Sequence, residues 1–101
     1  NPVTVNGTMS ASTDVDYFKV SLPAGKTLAA VLAPNASSDY DLYIENATGT
    51  VLAKSENGTG AADSASAKNS GTTATTVHVR VKHYGGGTGA TNGKYTLKLS
   101  F

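Results

Sequence analysis

Apolar and polar residues alternate along most of the chain with a period of two. The clearest run covers residues 75–84, where Val77, Val79 and Val81 share one phase and polar or charged residues take the other. A period of two places successive side chains on opposite faces of a strand, so this pattern predicts strands with one buried face. No window shows the 3.6-residue period of a capped helix.

Eight segments carry this alternation, and residues that favour turns separate them. The segments are 3–9, 15–22, 26–33, 39–46, 50–55, 61–69, 75–84 and 94–101. Between them stand glycine, proline and asparagine, as in Pro23-Ala24-Gly25 after the second segment. Seven or eight strands at spacings of roughly 8–12 residues are typical of an antiparallel β-sandwich. We therefore predict one all-β domain over residues 1–101, with no internal linker.

Composition and charge exclude several classes of function. The chain has 101 residues, the size of one domain, and a formal net charge of +1. So balanced a charge gives no field to attract nucleic acid or an anionic membrane. The chain has no cysteine, which excludes disulfides and thiolate chemistry, and no stretch approaches the roughly 18 apolar residues of a membrane helix. We expect a monomer that binds neither nucleic acid nor membrane.

Several motifs, in order, resemble one protein family. They are TDVDYFKVSLPAGKTL, DYDLYI, GTVLAKSENG, VHVRVKHYGGG and GKYTLKLS, which together span nearly the whole chain. This set resembles the bacterial pre-peptidase C-terminal domain. The resemblance implies a jelly-roll-like β-sandwich, related in fold to the collagen-binding domains of clostridial collagenases. It also implies a secreted, extracellular and non-catalytic domain attached to a metallo- or serine peptidase.

Two aspartate pairs are candidates for binding a cation. Asp14 and Asp16 are two residues apart, as are Asp39 and Asp41, so on a strand each pair shares a face. Calcium takes six to eight oxygen ligands. The resemblance implies calcium at Asp14 and Asp16, but the acidic linker that completes the site in the collagen-binding relatives is missing from this chain, which opens NPVTVNG. No cofactor is expected to be required, and the alternative is that these aspartates are solvated or bond to turn backbone.

Catalytic motifs are missing from the sequence. It contains neither a G-x-S-x-G elbow nor an H-E-x-x-H zinc motif. The positions of His78 and His83 differ by an odd number, so alternation places the two side chains on opposite faces of one strand, where they cannot bind one zinc ion without a bulge. We predict that the domain is not an enzyme by itself.

Aromatic and basic residues in the outward phase are the candidates for ligand binding. They are Tyr17, Tyr43, Tyr84, His78, Arg80 and Lys82. Tyrosine offers a large contact area with a polar tip, which suits binding to a fibrous protein or polysaccharide. The resemblance places Tyr84 near a contacting tyrosine of the collagen-binding relatives. The alternative is that these tyrosines only pack against cross-strand neighbours.

Three functions are compatible with these observations. The leading hypothesis is an accessory domain that binds an insoluble protein polymer such as collagen. The second is a structural or maturation module that contacts the catalytic domain of its parent peptidase and aids its folding or secretion. The third is a carbohydrate-binding module, because jelly rolls host many of these; the absence of tryptophan argues against it.

Overall fold

The structure is a computed structural model that describes residues 3–9, 11, 15–35, 38–56, 62–89 and 93–101. Each predicted segment coincides with one strand to within two residues at either end, which confirms the all-β prediction. The strands are β1 (Val3–Thr8), β2 (Val15–Leu22), β3 (Thr27–Pro34), β4 (Asp39–Asn46), β5 (Val51–Ser55), β6 (Asp63–Lys68), β7 (Thr75–Gly85) and β8 (Lys94–Ser100). Within the described part of the chain we find no membrane-spanning helix.

The strands form two four-stranded antiparallel sheets. The first sheet has the order β1-β8-β3-β6, and the second has the order β2-β7-β4-β5. Only β4 and β5 pair as neighbours in sequence, so the remaining pairings join distant parts of the chain. The two sheets pack face to face as a β-sandwich, the arrangement that the strand spacing predicts.

The core lies between the two inner faces and consists of the residues in the apolar phase. Its fully buried members are Met9, Leu22, Leu28, Leu32, Tyr40, Leu42, Ile44, Val77, Val79, Val81 and Leu97. Phe101 has the same phase as the buried Tyr95 and Leu97, so alternation predicts that it points inward, but it is 43% exposed. It follows the end of β8, beyond the last residues that pair with β1 and β3, so no neighbouring strand covers it.

A buried asparagine ties the two sheets together at one end. The Asn69 side chain donates to the carbonyls of Leu22 (3.0 Å) and Thr73 (2.8 Å), and its carbonyl oxygen accepts from the amide of Gly71 (3.0 Å). Its backbone pairs with Gly25 and Lys26 in the turn between β2 and β3. Each polar group of this side chain is therefore satisfied although the residue is buried.

The ring of Tyr95 crosses the end of β1 and explains a glycine there. Gly7 lies directly opposite Tyr95, and a Cβ at Gly7 would overlap the ring. The Tyr95 hydroxyl donates to Asp16 in the other sheet. Gly7 thus allows the ring to reach across the sandwich.

Candidate functional site

The outer face of the second sheet brings the predicted tyrosines together. Across its four strands Tyr17, Arg80, Tyr43 and Lys54 lie directly opposite one another in a single row. Directly opposed residues of an antiparallel sheet point to the same face. The sequence predicted the phase of each tyrosine but not that β2, β4 and β7 are neighbours in one sheet.

The remaining predicted residues lie in adjacent rows of this outer face. His78 is opposite Lys19 and Glu45, and Lys82 is opposite Val15 and Asp41. Tyr84 lies at the end of β7, beside an irregularity in the pairing of Asp39 and Tyr40 with β7. All six predicted ligand-binding residues therefore occupy one face.

The three tyrosines differ in how much of each ring solvent can reach. Tyr84 is 75% exposed and Tyr17 is 56% exposed, whereas Tyr43 is only 9% exposed. The expectation that Tyr43 faces solvent is wrong, although its phase is right. The guanidinium of Arg80 covers its ring at 4.3 Å from the centroid, in a cation–π contact.

Arg80 is held within the face by two contacts. Its Nε lies 3.2 Å from Oε2 of Glu45, which is buried. The N–H does not point at that oxygen, and Nε has no hydrogen-bond partner among the described residues. The contact is an ion pair and not a directed hydrogen bond. Arg80 thus neutralises Glu45 and covers Tyr43 at once.

At the β5 end of the row, Tyr43 and Lys54 both contact the carboxylate of Glu56. The Tyr43 hydroxyl donates to Oε2 of Glu56 (2.9 Å), and Nζ of Lys54 lies 3.1 Å from Oε1 of the same carboxylate. Burial and the hydrogen bond to Glu56 raise the pKa of Tyr43 to about 12. The hydrogen bond from Tyr43 and the charge of Lys54 lower the pKa of Glu56.

An acidic pocket opens at the Tyr84 end of this face. It is lined by Asp39, Asp41, Glu56 and Tyr84 and has a volume of about 360 Å³. Asp41 is only 4% exposed. Burial, followed by the nearby carboxylates, raises its pKa to about 6. Asp41 shares the outward phase of Tyr43, yet it is buried, because alternation determines the phase of a side chain but not how far its cross-strand neighbours cover it.

Of the two predicted calcium ligands, the structure describes only Asp16. Asp14 lies outside the described residues. Asp16 points inward in the phase of Phe18 and accepts a hydrogen bond from Tyr95. Nowhere in the described ranges do three or more histidine, aspartate or glutamate side chains gather in a way that could hold a metal ion. Calcium at Asp14 and Asp16 stays a prediction.

The two histidines lie on opposite faces of β7, as their spacing predicted. His83 points inward, where its ring contacts Tyr40 at a centroid distance of 5.6 Å and its Nε2 is 3.0 Å from the carbonyl oxygen of Gly86. His78 is half-buried on the outer face, opposite Glu45. The two rings cannot share a ligand.

A second cavity lies at the edge of the sandwich where β1 and β2 face each other. It has a volume of about 600 Å³, and its lining includes Val3, Val5, Phe18, Val20 and Leu99. Tyr17 stands at its rim and belongs to both this cavity and the outer face. The apolar edge therefore adjoins the row of outward tyrosines.

The fold has a counterpart among solved structures. The chain is similar to the pre-peptidase C-terminal domain of collagenase from Bacillus anthracis, known from a crystal structure at 1.0 Å, with a TM-score of 0.71 and 15% sequence identity. The similarity covers 98% of this chain and 89% of that chain. No family model and no curated protein matches the chain. The predicted resemblance is confirmed at the level of the fold.

Proposed function

We propose that the chain is a non-catalytic accessory domain of a secreted bacterial peptidase and binds an insoluble protein substrate such as collagen. The shared fold supports the accessory role, because its counterpart is a domain of a collagenase. The observation that carries the binding role is the exposure of Tyr17 and Tyr84 on one face. Large exposed tyrosines on a rigid sheet offer contact area at a small cost in conformational entropy.

The dimensions of this face suit an extended polymer. Tyr17 pairs with Arg80, and Tyr84 lies four residues further along β7, which corresponds to roughly 13 Å along the strand. The exposed Lys82 lies between the two tyrosines. A polymer that runs along β7 would therefore contact both rings and the lysine in turn.

The charges of the face favour a protein as the polymer. Lys82 and the carboxylates of Asp39 and Asp41 lie close together, so the face carries both signs of charge. A protein polymer presents both signs as well, and electrostatic complementarity determines which partners are accepted. Neutral polysaccharides such as chitin and cellulose offer no such complement.

The test is co-sedimentation of the isolated chain with insoluble collagen, with chitin and cellulose in parallel. We expect retention on collagen and a loss of affinity of about five- to thirtyfold for Tyr84→Ala, the size typical of an interface hot spot. Tyr17→Ala should also weaken binding. The matched control is Val31→Ala, which removes an exposed side chain from β3 in the first sheet and should change nothing.

Two results would contradict the proposal. If the Tyr84→Ala variant were retained as well as the original chain, with an unchanged melting temperature, the binding surface would have to lie elsewhere on the domain. Failure to bind any of the three polymers would overturn substrate targeting and favour the maturation module, which predicts loss of export or activation when the domain is deleted from its parent peptidase.

A further inference from the structure

The acidic pocket contains a buried carboxylate with no partner. Asp41 lies almost entirely out of solvent, and among the described residues no hydrogen bond or ion pair reaches its carboxylate. Oδ1 of the neighbouring Asp39 is also buried without a hydrogen bond. Buried carboxylates are normally paired, because an unpaired charge is costly to desolvate. A positively charged ligand would supply the missing partner.

The neighbouring basic residues leave this charge uncompensated. Lys54 is already paired with Glu56 at 3.1 Å. Lys82 lies opposite Asp41 on β7 and lowers its pKa, yet it is exposed and forms no ion pair within the described ranges. Asp39 and Asp41 therefore give the pocket its negative charge, and the exposed ring of Tyr84 forms one wall.

The geometry favours an organic cation over a metal ion. Calcium needs six to eight converging oxygens, and the described carboxylates form no cluster of three that could hold a metal. An ammonium or guanidinium group needs only one or two carboxylates and gains further from an aromatic face. We propose that this pocket receives a lysine or arginine side chain of the bound protein, with its charged end at Asp39 and Asp41 and its carbon chain along Tyr84.

That the lysine or arginine belongs to a bound protein polymer rests on the proposed function, but small probe molecules test the pocket by itself. Nα-acetyl-lysine methylamide and its arginine counterpart are titrated into the isotopically labelled chain and followed by NMR. We expect saturable shifts at the amides of Asp39, Asp41 and Tyr84, with dissociation constants in the millimolar range. The norleucine analogue, which has the same carbon chain without the charge, should cause no saturable shift at these amides.

Three variants give the proposal its sharpest test. Asp41→Asn should lower the affinity for the lysine probe at least about tenfold, because it removes a charged hydrogen-bond acceptor. Asp16→Asn, which removes a carboxylate outside the pocket, is the matched control and should leave the affinity unchanged. Lys82→Ala should tighten binding, because it removes a competing cation opposite Asp41.

Several outcomes would overturn the inference. They are equal binding of the lysine and norleucine probes, an unchanged affinity of the Asp41→Asn variant, and displacement of the lysine probe by millimolar calcium, which would make the pocket a metal site. Failure of the two proposals is distinguishable. Retention on collagen without probe binding refutes the pocket alone, and probe binding without retention on any polymer refutes the substrate-targeting function alone.

Discussion

Replacing Asp41 with asparagine should make the domain more stable at neutral pH. The pKa of this carboxyl rises from its ordinary 3.8 to about 6 in the folded chain, chiefly through burial and then through the charges of Asp39, Asp63 and Glu56, against which Lys82 acts. The folded state therefore disfavours the charged form. Asparagine keeps the shape of the side chain and carries no charge.

The sign and size follow from proton linkage. Below pH 3.8 the carboxyl is protonated in both the folded and the unfolded state, so it does not lower the free energy of unfolding. Between pH 3.8 and 6 the unfolded chain loses its proton first, so the free energy of unfolding falls, and above pH 6 the cost is complete. At about 1.4 kcal/mol for each pH unit the cost reaches about 3 kcal/mol. The pocket is open to solvent, which screens the charges, so we expect about 1–2 kcal/mol.

The assay is urea denaturation followed by circular dichroism between pH 4 and pH 7.5. The difference in free energy of unfolding between Asp41→Asn and the original chain should rise by about 1–2 kcal/mol across this range. Glu56→Gln is the control with the opposite sign: its lowered pKa stabilises the fold above pH 4.5, and this contribution is lost as the pH falls. Parallel pH profiles for Asp41→Asn and the original chain, or a less stable variant at pH 7.5, would refute the reasoning.

Three further predictions concern other parts of the molecule. Asn69→Ala should lower the free energy of unfolding by about 2–4 kcal/mol, because buried backbone groups lose their partners. Asn46, at the end of β4, accepts exposed hydrogen bonds from the turn that follows, so urea denaturation should show a smaller loss for Asn46→Ala. Gly7→Val should lower the melting temperature, at a cost of at least about 2 kcal/mol, because its side chain overlaps the Tyr95 ring; an unchanged melting temperature would contradict this packing. If calcium binds as predicted, a hundredfold excess over its dissociation constant should add about 2.7 kcal/mol of stability that Asp16→Ala abolishes. Equal melting temperatures in calcium and in chelator would refute the prediction of a calcium site at Asp14 and Asp16.

The inner faces of the sandwich could be predicted from the sequence because burial between sheets demands apolar residues in alternate positions. The outer face could not be predicted to the same depth. Whether an outward side chain meets solvent depends on its cross-strand neighbours, and the neighbours of β4 include β7, which is distant in the chain. Tyr43 and Asp41 are buried because of this pairing. Tyr84 and Tyr17, with less cover, kept the exposure that alternation predicts.

The pairing of β1 with β8 has a consequence for how the chain reaches its folded state. Val3 lies opposite Leu99, so the first strand can pair only after the last strand has been synthesised. Of the six strand pairings described, β4 with β5 alone is local, and folds dominated by distant pairings form slowly, in milliseconds to seconds. During synthesis at roughly 5–20 residues per second the N-terminal strands stay unpaired for several seconds.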